Sequence, residues 1–262
     1  MKLKIICGQL EITPGRPDVN YKKIIDAIEK ARSLEADILL LPEMALPGYL
    51  IGDIWEQQTF LDDCAYYAEK IVAATENICV IFGSVATEPG KLNEDGRVRK
   101  YNAAFACQNG KLLGGYQGRS FFIKTSLPNY REFDDCRHFY SLQKLCAEEG
   151  ASVSKALQPL EIVIRGTSLR IGVMLCEDGW TENYHLNVPQ TWQPTEHSFY
   201  ATFPAPPTRW VKTVSATAFS VRRHAPQAFR SSIATTSVSR ITARISSPTT
   251  AALPPITVTA VW

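Results

Sequence analysis

The chain has 262 residues, 45% of them apolar, and a formal net charge of +2. That length suits one large α/β domain or two small ones, and the near-neutral charge gives no basic field for nucleic acid. No run approaches the roughly 18 uninterrupted apolar residues of a membrane-spanning helix, and seven irregularly spaced cysteines without a CxxC pair suit reduced thiols and the cytoplasm.

The opening MKLKIICGQLEI breaks at Gln9, too soon for a signal peptide, and reads as a first strand. Asn20 is placed to cap a helix running to about Leu34, with Ile24, Ile25, Ile28 and Ala31 on one face. ADILLLPE follows as a short strand buried on both faces and ending in a carboxylate. A second helix covers about Gln57 to Thr75, and NICVIFGSVAT is the next strand. VRKYNAAFACQNGKLLGGYQG reads as a hairpin turning at Asn109-Gly110, and LEIVIRGTSLRIGVML as another turning at Gly166, with a helix and a loop at 141–157 between them. Alternating strands and helices followed by hairpins predict mixed sheets flanked by helices.

The chain changes character at Gln190. All 15 glycines and all seven cysteines precede it, and the last 72 residues contain no Gly, Asp or Asn, one Leu (Leu253) and one acidic residue (Glu196). A folded α/β domain needs those turn formers, and leucine for its core. A disordered Ser/Thr/Pro-rich tail is one reading, against which stand Trp192, Phe199, Phe203, Trp210, Phe219 and Phe229. A shifted reading frame is another.

Three polar residues stand where apolar runs stop: Glu43 after ILLLP, Lys124 after SFFI and Cys176 after RIGVML. Strand ends are where α/β folds place reactive groups. Glu132 follows Lys124 by eight residues, beyond a Pro-Asn turn. Singly, a buried Cys is more often a small core residue, and a Glu or Lys at a strand end is more often solvated. Together they suit acyl transfer from an amide. Cys176 is the nucleophile, Glu43 the base that takes its proton, and Lys124 the cation that stabilises thiolate and oxyanion. Glu132 holds the lysine charged.

The order Glu, Lys, Glu, Cys resembles the nitrilase superfamily of carbon–nitrogen hydrolases. The words LLLPEMALPGYLIGD, KTSLPNYREFDD and GVMLCEDGW look like the glutaminase domain of glutamine-dependent NAD synthetases. The resemblance runs from Met1 to Gln190. It implies an α/β fold, a nitrilase-like four-layer αββα sandwich, here incomplete and followed by an irregular C-terminal tail. Residues 1–190 would be a partial glutamine amidohydrolase domain and 191–262 a tail without family resemblance. Glu43, Lys124, Cys176 and Glu132 would be catalytic, and Tyr49 would line the glutamine pocket.

The resemblance implies no metal or cofactor for glutamine hydrolysis. ATP and Mg would serve a synthetase domain, missing from this chain, that uses the ammonia to aminate deamido-NAD. Glutamine and that domain are the implied partners, without nucleic acid or membrane, and intact relatives would be homo-oligomers. Two alternatives stay open: a stand-alone amidase of the superfamily acting on another small amide, and a non-functional remnant.

The genetic code lets the shifted frame be read. FPAPPTRWVKTVSATAFS, read one base earlier, can spell F-S-C-S-P-Y-T-L-G-K-N-G-K-R-N-R-V-F, and the preceding TWQPTEHSFYAT can spell L-A-A-N-G-A-Q-L-L-L-C-N. ATTSVSRITAR can spell N-N-V-G-I-Q-N-N-G-K. These words resemble the family in the right order and one frame. The tail then reads as a frameshift product beginning near Thr191, unable to supply sheet partners in register, and the chain alone is expected to be inactive and poorly soluble.

Overall fold

The computed structural model describes residues 3–179, 184–191, 198–203 and 256–261. The first half winds β1 (Leu3–Gly8), α1 (Pro17–Ser33), β2 (Ile38–Leu40), α2 (Gln58–Ala73) and β3 (Cys79–Leu92). These strands pair in parallel in the order β1-β2-β3. The helices are the crossovers that parallel pairing needs. β3 then pairs antiparallel with β4 (Val98–Gln108), which carries β5 (Lys111–Leu113) and the short β6 (Phe122–Ile123).

The hairpin turn falls at Asn109-Gly110, both with positive φ, as the sequence predicts. After α3 (Asp135–His138), α4 (Leu142–Glu148) and α5 (Val153–Ala156), a second hairpin forms from β7 (Leu160–Ile164) and β8 (Thr167–Leu175). A short α6 (Val188–Thr191) follows.

One expected boundary moves. α1 begins at Pro17, whose missing N–H is an orphan at a helix start anyway. Asn20 therefore sits inside the helix and caps nothing. Its buried amide instead exchanges hydrogen bonds of 2.8 Å with the Thr13 backbone and donates to Leu46 O at 2.9 Å, fastening two loops together.

The core has two layers of contact. Leu3, Ile5, Ile38, Leu40 and Ile81 on one face of the large sheet meet Leu160, Ile162, Ile164, Ile171 and Leu175 of the small sheet. On the opposite face Ile6, Leu39, Val80 and Phe82 pack against Ile24 and Ile28 of α1 and Ala68 and Ile71 of α2. The described residues thus give helix, sheet, sheet, three layers of the expected sandwich. α4 and α5 pack on the β3–β4 end, through Leu142, Leu145 and Ala156 against Ala86, Tyr101 and Ala103. Among the described residues no helix is long and apolar enough to cross a membrane.

Two segments beyond Gln190 form strands. β9 (Ser198–Phe203) pairs in parallel with β8, and β10 (Ile256–Val261) in parallel with β1. The expectation that the tail offers no partner in register is corrected at these two places. ITVTAV alternates Ile, Val and Ala with Thr and is rich in β-branched residues, which is strand chemistry at short range. The aromatics Trp192, Trp210, Phe219 and Phe229, and the other segments from which shifted-frame words were read, lie outside the described residues.

Candidate active site

Glu43 sits in the turn that leaves β2. Leu41 N donates to Ile81 O, Gly83 N to Pro42 O and Leu46 N to Gly83 O, so β3 grips the turn on both sides. The approach is closer than a side chain permits. A Cβ on Gly83 would lie 2.3 Å from Met44 N and 2.6 Å from Glu43 Cα. Met44 itself has φ of 50°, a strained value for a long side chain. Glu43 is fully buried. Its Oε1 accepts from Lys124 Nζ at 2.7 Å and from Asn102 Nδ2 at 2.7 Å. Among the described residues its Oε2 is buried without a hydrogen-bond partner. Burial holds the Glu43 carboxyl above the usual carboxylate range, against the pull of the Lys124 charge.

Lys124 leaves β6, its N–H donating to Asn102 O at 2.9 Å. The side chain is fully buried, and Nζ lies 2.7 Å from Glu43 Oε1 and 3.0 Å from Asp135 Oδ2. Burial alone would lower its pKa. The Glu43 and Asp135 charges outweigh burial and hold the ammonium above its ordinary range. Tyr49 donates its hydroxyl to Asp135 Oδ1 at 2.7 Å and lies 3.4 Å from Lys124 Nζ. Burial, then the nearby Glu43 and Asp135, push the phenol up, so it acts as a donor and not as a base.

Cys176 follows β8 directly and opens a 3-10 turn with φ of 39°, in the left-handed region. It is half-buried and lies within electrostatic reach of Lys124, Tyr49 and Tyr130. A left-handed backbone at a non-glycine residue is a strained conformation of the kind that clusters at functional sites. The structure therefore gathers four of the five residues expected from sequence: Glu43, Tyr49, Lys124 and Cys176.

The fifth stands apart. Glu132 is exposed, and no carboxylate other than Glu43 and Asp135 pairs with Lys124 among the described residues. The loop explains it. Phe133 N bonds Tyr130 O, Arg131 takes φ of 54°, and Asp135 N bonds Pro128 O, so the turn swings Glu132 to solvent and the start of α3 inward. Asp135 occupies the place expected for Glu132.

Sequence reading also passed over three further residues. Asn102 steadies Glu43, and its only signal was its position in β4. Glu177 is buried and accepts from Tyr130 OH at 3.1 Å and Tyr184 OH at 2.6 Å. Asp178 is buried and accepts three backbone N–H groups. The last two were visible only as the CED word beside the nucleophile.

A carboxylate with an open oxygen, a fixed ammonium and a thiol on a strained turn can together move a proton, hold an oxyanion and carry an acyl group. The carbon-nitrogen hydrolase family model matches residues 4–189, ending one residue before the composition changes. Glutamine-dependent NAD(+) synthetase of Thermotoga maritima is 31% identical over 181 residues, 68% of this chain and 26% of that one. The Xanthomonas campestris pv. campestris enzyme of the same name is 30% identical over 179 residues, 68% of this chain and 27% of the other. The chain thus spans about a quarter of the length of these curated relatives.

The fold is that of a glutamine-dependent NAD+ synthetase structure from Acinetobacter baumannii, with a TM-score of 0.56 at 24% identity over 78% of this chain and 32% of that one. The match supports a mixed α/β nitrilase-like architecture, present in part. The chain belongs to the carbon-nitrogen hydrolase family.

Proposed function

We propose that residues 1–190 are the glutamine amidohydrolase part of a glutamine-dependent NAD synthetase. The observation that carries this is Lys124, fully buried between Glu43 and Asp135 and in charge contact with Cys176. An ammonium is kept there at high electrostatic stake, which suits a site where negative charge develops.

Glu43, through its open Oε2, takes the Cys176 proton. The thiolate adds to the side-chain amide carbon of glutamine, and Lys124 faces the oxyanion. Glu43 returns the proton to nitrogen, ammonia leaves and a Cys176 thioester remains. Water, deprotonated by Glu43, then adds to the thioester, and glutamate departs as the thiol is restored. Asp135, held by Tyr49, keeps Lys124 charged and in place. We assign to it the part first read for Glu132. The step needs no cofactor, and the ammonia would go to amination of deamido-NAD elsewhere in such enzymes. Glutamine is favoured over a simple amide because buried Glu177, beside the nucleophile, suits the α-ammonium of an amino acid.

Residues 191–262 we read as a frameshift product, supported by their composition and by the family match ending at 189. The test compares the 262-residue chain with one whose frame is restored after Gln190, in a glutamine-to-glutamate assay. The restored chain should turn over, its Cys176→Ala variant should not, and the 262-residue chain should give no measurable rate. Turnover by the Ala variant would remove Cys176 from the chemistry. A restored chain that hydrolyses only simple amides would favour the stand-alone amidase.

A further inference from the structure

Asp178 has no place in the proton and acyl transfers above, yet it is 4% exposed and makes three hydrogen bonds through one carboxylate. Oδ1 accepts from Thr125 N at 3.0 Å and from Ser126 N at 2.7 Å, while Oδ2 accepts from Leu175 N at 3.3 Å. Thr125 and Ser126 are the residues that follow Lys124. Leu175 is the residue that precedes Cys176. The two strands concerned belong to different sheets: β6 pairs in the large one and β8 in the small one. The backbones that present the ammonium and the thiol are thus joined by one side chain.

We propose that Asp178 is a positioning residue that sets the Cys176 thiol against the Lys124 ammonium; this rests on the roles given to those two residues above. Only a carboxylate fits. All three partners are donors, and an ionised carboxylate offers acceptors on both oxygens. Asparagine has the same shape, but its NH2 must face either Leu175 N–H or the Thr125 and Ser126 pair, donor against donor. One side of the tie is then lost, whichever way the amide turns. The carboxylate is held at some expense. Burial pushes it up to about 7, with Glu43 adding to the rise, while the Ser126 and Leu175 amides and the Lys124 charge pull it back.

The test uses the 262-residue chain and iodoacetamide, with alkylation of the Cys176 peptide followed by mass spectrometry across the range in which thiols titrate. The thiol interacts electrostatically with Lys124, Tyr49 and Tyr130, with Glu43 and Asp135 bonded to that ammonium and Glu177 next in sequence. Asp178→Asn removes a nearby negative charge, which by itself would lower the midpoint of the thiol profile. A rise of about one pH unit, with Cys176 alkylation at neutral pH slowed about tenfold, is the expected result and therefore reads the displacement of the ammonium from the thiolate. Ile162→Val, a small core truncation in β7, controls for general loosening and should change neither. An Asp178→Asn profile matching the unsubstituted chain overturns the proposal. A Cys176 that reacts no faster in the native chain than in urea overturns the Lys124–Cys176 assignment along with it. Should Asp178→Asn not fold, amide exchange in the unsubstituted chain decides. The Thr125, Ser126 and Leu175 amides should then share one slow rate, and fast exchange at Thr125 and Ser126 overturns the proposal.

Discussion

Glu132 and Asp135 are three residues apart, and only the second reaches Lys124. Spacing along a loop does not say which side faces inward. The decision is made by the backbone at Arg131, whose left-handed conformation reverses the chain before α3 begins. Glu43, Lys124 and Cys176 were legible because each ends an apolar run, and a strand end has a fixed place. A residue such as Asp135, several positions along a loop from the nearest strand end, was not. In a frame-restored chain Asp135→Asn should slow glutamine hydrolysis by roughly a hundredfold, since the lysine loses one of its two carboxylates in a site of this kind. Glu132→Gln, at an exposed position, should stay within about twofold. Steady-state rates for the two variants check this, and an equal loss in both would return the role to Glu132.

The elements show the same division. Both hairpins could be read because Asn109-Gly110 and Arg165-Gly166 carry positive φ at their turns, a local requirement with a local signature. The start of α1 could not, because Asn20 serves contacts with Thr13 and Leu46 that lie outside the helix. The contact between β3 and the Glu43 turn is likewise invisible in sequence. There Gly83 is required by close approach, since a Cβ would sit 2.3 Å from Met44 N. Gly83→Ala should lower stability by about 1–3 kcal/mol, as overpacking does. In a frame-restored chain it should also lower glutamine turnover out of proportion, by pushing Glu43 from Lys124. Thermal melts and rates on the same preparations test both parts. An unchanged melting temperature would mean the turn can yield.

At the scale of the molecule, the large sheet is covered by α1 and α2 on one face and the small sheet on the other. On the small sheet Val163 is 62% exposed. Composition sets residues 191–262 apart in the sequence, whereas their two strand pairings were not legible there. One of them, β9, falls where the shifted frame spells L-L-L-C-N, so both frames put a strand-compatible segment beside β8. Trypsin should cut first at Arg209, Lys212, Arg222, Arg223 or Arg230, in sequence that lacks Gly, Asp and Asn and any sustained period. The surviving fragment should extend past Phe203 because β9 is paired. Resistance of the whole chain would show the tail to be an integral part of the fold, and an earlier cut, near Gln190, would mean the β8–β9 pairing is weak.

The pairing of β1 with β10 joins Leu3 to Ile256, across almost the whole described sequence. Contacts of such long range are slow to form, because so much chain must be closed before they reward it. During synthesis β1 emerges long before β10, which follows it by most of the described sequence. Through that interval the edge of β1 away from β2 stays unpaired, and it is a template for any other strand that arrives first. The fate of this polypeptide in a cell is thus a race on the ribosome, between its own late strand and a neighbour's.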